Sequence, residues 1–126
     1  MTVPKKPNAA KPAADPKEAL YQTLSLCRKA GKLVQGYDAV EEAVFKSKAW
    51  LVLYTADASV KTVRRMKENV GDLVDVLPMP LTQADLAPVS RKPAVLYAVT
   101  DRNLGALCYE KLEQCKSLDH KEEISE

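Results

Sequence analysis

The strongest constraint on this chain is an alternation. Segments with apolar residues at helical spacing are separated by short, unbroken runs of β-forming residues. Leu20, Leu24 and Cys27 recur at helical spacing and the run closes at Gly31, which predicts a first helix over residues 17–30. "KLVQG" is too short for a helix and reads as a brief strand ending at Gly36. A second helix is expected to start near Asp38 as its N-cap, with Val40, Ala43, Val44 and Ser47 on one face. "AWLVLYT" then forms a continuous apolar run of β-formers, the mark of a central strand covered on both faces.

The order repeats. "DASVKTVRRMKENVG" offers Asp57 and Ser59 as caps, places Val60, Val63 and Val70 inward and ends at Gly71. "DLVDVLPMP" is a strand stopped by Pro78 and Pro80, and Thr82 caps a short helix, "TQADLA". The loop "PVSRKP" leads into the strand "AVLYAVT". A last helix begins at Asp101, with Leu104, Leu107, Cys108, Leu112 and Cys115 on one face. Alternating helices and strands with short connections predict an α/β fold, a three-layer α/β/α sandwich around a small mixed sheet of about four strands.

The flanks differ from this core. Residues 1–16 carry four prolines, Lys5, Lys6, Lys11 and Asp15, and read as a disordered basic arm of charge +2. Residues 117–126 carry Asp119, Glu122, Glu123 and Glu126 against Lys121, giving a fraying acidic tail of charge −3. From the total of +2, the single domain over residues 17–116 retains +3, a mildly basic balance that permits RNA binding without demanding it. The longest apolar runs fall far short of the ~18–20 residues of a membrane span. Pro and Ala follow the basic N-terminus where a secretory signal would have an apolar block, so a cytoplasmic protein is expected. Cys27, Cys108 and Cys115 lack metal or redox spacing and read as reduced core thiols; no metal or other cofactor is expected.

Catalytic chemistry finds little to work with. His120, the single histidine, lies in the polar tail. Asp57 and Asp101 both follow strands and could meet at one sheet edge, although each is also well placed as a helix N-cap, the role that fits it better. With glycines at 31, 36, 71 and 105 alone, there is no nucleotide-cradling loop, and the expectation is a protein that is not an enzyme.

Phosphate binding asks for less: exposed backbone N–H groups at a helix start, a small residue and nearby cations. Gly36, Tyr37 and Asp38 supply the first two, and Arg28, Lys29 and Lys32 the third; a glycine turn capped by Asp, beside a solvated basic helix end, fits the same residues. Ser90, Arg91 and Lys92 form a second basic loop that could sit near the start of the second helix in such a sandwich; an ordinary exposed loop fits the same residues equally well. Arg64, Arg65 and Lys67 read as a solvated outer face. Of the tyrosines, Tyr37 is the exposed candidate for stacking on a base, and Tyr54 reads as core.

Three stretches together resemble a known family: "LSLCRKAGKLVQG" over 24–36, "AWLVLYTADAS" over 49–59 and "LYAVTD" over 96–101. They are similar to the pattern of the ribosomal protein L-seven-Ae / L-thirty-e family, in particular its bacterial YlxQ-like members. The resemblance implies an α/β/α sandwich that binds RNA, typically a kink-turn, gripped by the start of the second helix and the loop before the last strand. The family's Gly-x-Asn-Glu-x-x-Lys signature falls on residues 36–42, where Gly36 is kept, Asp38 stands for Asn, Ala39 for Glu and Glu42 for Lys. The loop keeps "VSRKP" without the usual preceding glycine.

The resulting expectation is a non-enzymatic protein that binds structured, kink-turn-like RNA and is ribosomal or ribosome-associated. Arg28, Lys29 and Lys32 would neutralise phosphates, Gly36 would admit the RNA backbone, and Tyr37 and Asp38 would touch the unpaired region. Ser90, Arg91 and Lys92 would clamp the other side. Glu41 and Glu42 favour an alternative, a protein-interaction module on the same fold that has lost high-affinity RNA binding.

Overall fold

The computed structural model describes residues 16–92 and 94–125, with side chains described as far as Cys115. Residues 1–15 of the expected arm and the side chain of His120 lie outside that set. Among the described residues the elements follow as α1 (Pro16–Lys29), β1 (Leu33–Gln35), α2 (Tyr37–Phe45), β2 (Leu51–Tyr54), α3 (Val60–Val70), β3 (Val76–Pro78), α4 (Gln83–Ser90), β4 (Leu96–Val99) and α5 (Arg102–Ser125). No helix among them is long and apolar enough to cross a membrane.

The alternation closes into one mixed sheet of order β1-β4-β2-β3. β4 runs antiparallel to both neighbours, with Gln35 opposite Tyr97 and Leu53 opposite Tyr97, while β2 and β3 are parallel. Because side chains alternate along a strand, each face of β4 feeds a different core. Tyr97 and Val99 join Leu20, Leu24, Cys27, Leu86, Cys108 and Leu112 under α1, α4 and α5. Leu96 and Ala98 join Val40, Val44, Met66 and Val70 under α2 and α3. The three-layer α/β/α sandwich is therefore present, and all three cysteines are free and buried, with Cys27 and Cys108 Sγ atoms 3.9 Å apart.

Local signals explain most boundaries. Pro16 occupies the first turn of α1, where its missing N–H costs nothing. Gly31 follows at φ 73°, and the Lys32 N–H donates to the Cys27 carbonyl at 2.8 Å, closing the helix. Ser59 caps α3 by accepting from the Thr62 N–H, Thr82 and Asp85 form a reciprocal capping box on α4, and Asp101 accepts from the Leu104 N–H at 2.9 Å.

Several expectations need correction. Asp57 caps no helix but accepts from the Gln83 N–H at 3.2 Å, tying the β2 exit to α4. It also lies at the opposite end of the sheet from Asp101, because β2 and β4 are antiparallel. Ser47 is exposed at φ 61°, in the turn after α2. Val60, the first residue of α3, overhangs the core and is 71% exposed; Met66, one and a half turns on, is fully buried in its place. α4 continues through Pro88 to Ser90, beyond the expected "TQADLA", and α5 continues to Ser125 through the segment expected to fray.

The α3 correction carries a stability prediction. Met66→Ala should lower the unfolding free energy by about 2–5 kcal/mol, the cost of emptying a closed core site. Val60→Ala should change it by less than about 0.5 kcal/mol, as expected for exposed positions. Urea denaturation of the two variants beside the parent measures both.

Candidate nucleic-acid interface

The sheet topology puts the exits of β1, β2 and β3 and the entry to β4 at one end. At this mouth the Gly36 N–H donates to the Leu96 carbonyl at 2.9 Å, so the start of α2 sits directly beside the segment entering β4. Gly36 is the N-cap residue of α2, at φ 96° and ψ 148°, a region that is essentially glycine's alone. A Cβ built there would meet nothing within 4 Å, so the glycine answers a backbone demand and leaves open space above it.

No side chain caps α2. The Val40 N–H is the first to turn back into the helix, onto the Gly36 carbonyl at 3.0 Å. The N–H groups of Tyr37, Asp38 and Ala39 precede that first helical bond, and together with the helix dipole they form an anion-attracting end. Asp38, expected as the cap, lies inside the first turn and is exposed.

The second loop reaches the same mouth by a mechanism the sequence hid. Gln35 donates through Nε2 to the Ser90 carbonyl at 3.0 Å, and Arg28 donates through Nη1 to the Val89 carbonyl at 3.0 Å and to Gln35 Oε1 at 3.4 Å. The last carbonyls of α4 are thereby held by a cation and an amide, groups that suit a helix C-terminus. The signal was a polar Gln35 sharing the face of Leu33 in a strand otherwise apolar. Beyond this clamp Arg91 adopts a left-handed conformation at φ 65°, unusual for a residue with a side chain, and its N–H donates to the Ala87 carbonyl at 2.8 Å.

The expected site residues therefore divide. Gly36, Tyr37, Asp38, Arg91 and Lys92 gather at the mouth, with Arg91 and Lys92 exposed. Ser90 is 3% exposed and its Oγ donates to the Lys92 carbonyl at 2.6 Å, so its side chain shapes the loop from below. Arg28 is exposed, with its Nη1 engaged in the α4 clamp. Lys29 and Lys32 are exposed beyond the far end of β1, where the Thr100 N–H donates to the Lys32 carbonyl. Gly36 lies four positions after Lys32, roughly 13 Å along an extended strand. Lys29 and Lys32 therefore stand at the other end of β1 from the mouth and do not line it.

Contacts between α2 and α3 position the remaining groups. Asn69 donates to the Tyr37 hydroxyl at 2.9 Å and to Glu41 Oε2 at 2.8 Å, and the Arg65 guanidinium lies 5.5 Å from the Tyr37 ring centroid. Lys67 covers Tyr54 in the same way at 5.7 Å, so two members of the basic run rest on aromatic rings, and Tyr54 is half-buried. Glu42 pairs with Lys46 at 2.6 Å; the hydrogen bond from that ammonium, then its charge, hold the carboxyl below its usual range. Among the described residues no three His, Cys, Asp or Glu side chains are grouped to hold a metal ion.

The two unusual backbone positions should respond in opposite senses to substitution. Gly36→Ala forces a side chain into a glycine region and should cost about 1–3 kcal/mol. Arg91→Gly removes the left-handed penalty of about 1–2 kcal/mol, partly offset by the entropy of the added glycine, for a gain of up to about 1 kcal/mol. Denaturant midpoints measured with an unchanged slope check both signs.

Neither a family model nor a curated protein matches this sequence. Solved structures do. A protein of unknown function from Bacillus halodurans superposes with a TM-score of 0.68 at 20% identity, over 75% of this chain and 96% of its own. The Giardia lamblia 15.5 kD RNA-binding protein superposes with a TM-score of 0.63 at 17% identity, over 82% of this chain and 89% of its own. At these identities the likeness is one of fold.

Proposed function

We propose that this chain is a small, non-enzymatic, cytoplasmic RNA-binding protein, a YlxQ-like member of the L-seven-Ae / L-thirty-e family. In this reading it recognises a bent, kink-turn-like RNA, in a ribosomal or ribosome-associated setting. The observation that carries the reading is the uncapped start of α2 at Gly36, set beside the exposed Arg91 and Lys92. The RNA-binding protein of Giardia, similar in fold, is consistent with it.

The mechanism follows from the geometry of the mouth. A phosphate of the bent strand takes the N–H groups of Tyr37, Asp38 and Ala39, with no side chain on Gly36 to hold it off. Arg91 and Lys92 neutralise phosphates on the other side of the bend, their backbone fixed by the Gln35 and Arg28 clamp. An unpaired base can stack on Tyr37, whose ring is oriented by Asn69 and Arg65. Shape and charge do the selecting, as expected where backbone contacts dominate.

Glu41 is held by Asn69 and Glu42 by Lys46, so these acids do not single out α2 as a protein-binding face. The repulsion Glu42 would exert on RNA is also reduced by its own cation.

A salt series on a kink-turn RNA tests the reading. The parent's log affinity should fall linearly with log salt, and Arg91→Glu or Lys92→Glu should each weaken binding and flatten that slope by about 0.7–0.9. Gln35→Ala should weaken binding with the slope unchanged, because it loosens the loop without removing a charge. Parent protein that fails to bind the RNA, or charge variants that bind as the parent does, would refute the assignment.

A further inference from the structure

The far end of the sheet, opposite the Gly36 mouth, gathers large apolar side chains that the fold leaves in solvent. Phe45 at the end of α2, Trp50 before β2 and Leu73 after α3 are 56%, 55% and 62% exposed. They line one groove of about 520 Å³. Single exposed apolar residues need no explanation, but a contiguous group of this kind marks an interaction surface.

Trp50 is held ready within it. Its Cβ lies against Gly105 of α5, where an added Cβ would come within 3.2 Å, and the Arg102 guanidinium lies 6.0 Å from its ring centroid. A cation in the first turn of α5 opposes the helix dipole, so Arg102 is not there to stabilise its own helix.

The charges beside the groove indicate the occupant. Arg102 follows β4, and Asp75, which lines the groove, precedes β3. The strand order β4-β2-β3 puts Trp50, at the start of β2, between them. Arg102, against the Trp50 ring just outside the groove, and Asp75, in its lining, therefore set opposite charges on either side of an aromatic centre. A surface of one sign would call for a partner of the other sign. A surface bearing both, on opposite sides of its centre, is complementary to itself under a two-fold rotation.

We propose that this face is the interface of a two-fold symmetric homodimer, with Trp50 near the axis and Arg102 of each copy against Asp75 of the other. Three half-exposed side chains offer a few hundred Å² per copy, below the ~800 Å² per partner of a standard stable interface. The dimer is accordingly weak and forms with rising concentration. Both Gly36 mouths stay uncovered, so the pair is bivalent, although the inference stands on the far face alone and does not need the RNA reading.

Sedimentation velocity of the full chain over a concentration series tests it. The parent should pass from one chain to two in the micromolar range, and Trp50→Glu and Leu73→Glu should each shift that transition at least tenfold upward. Arg102→Glu and Asp75→Arg should each weaken self-association, yet an equimolar mixture of the two should form a mixed dimer, because the reversed charges then match across the axis. Circular dichroism of each variant verifies the fold. A parent that stays a single chain throughout, alone or while holding a different protein, would overturn the proposal. So would association unaffected by Trp50→Glu, or a mixture of charge variants that does not pair.

Discussion

Everything in this molecule is hung on β4. It is hydrogen-bonded on both edges and buried on both faces, with Tyr97 and Val99 in one core and Leu96 and Ala98 in the other. A slip of one residue would exchange these pairs between cores of different size and shape, so the register is fixed by packing. The same register sets the Leu96 carbonyl opposite the Gly36 N–H, and thereby puts the start of α2 next to the basic loop. The candidate site is a consequence of how the central strand is held.

That site is built from backbone conformation more than from reactive groups. Gly36 and Arg91 both occupy positive φ, and both lie at the mouth of the sheet. Such conformations persist when their surroundings over-determine them. Here the surroundings are the Leu96 bond on one side and the Gln35, Arg28 and Ser90 bonds on the other. Placing a cation at the left-handed Arg91 sets charge at the mouth at some expense in stability.

Much of this architecture was legible from one dimension. A continuous apolar run identified β2 as a central strand and a second marked β4 as a strand, and helical spacing identified the buried faces of α1 and α5. The errors have a common origin. Val60 fits the apolar spacing of α3 but is its first residue and stands in solvent, and Met66 fills the core. Asp57 and Asp101 look equivalent because both follow strands, yet the strands run in opposite directions. Residue type alone did not show that Arg28 would bond the Val89 carbonyl, 61 positions away, or that the Ser90 side chain would be buried under its own loop.

The sequence by itself determined the order of elements, the two-sided burial of the sheet and the glycine that opens α2, because periodicity, composition and the φ range of glycine are local properties. The tertiary structure alone decided which cations remain free, which end of the sheet each loop joins, and that Gln35 clamps the second loop. It also decided that Phe45, Trp50 and Leu73 share one groove. Those outcomes depend on strand direction and on contacts between residues far apart in the chain, which no local pattern encodes.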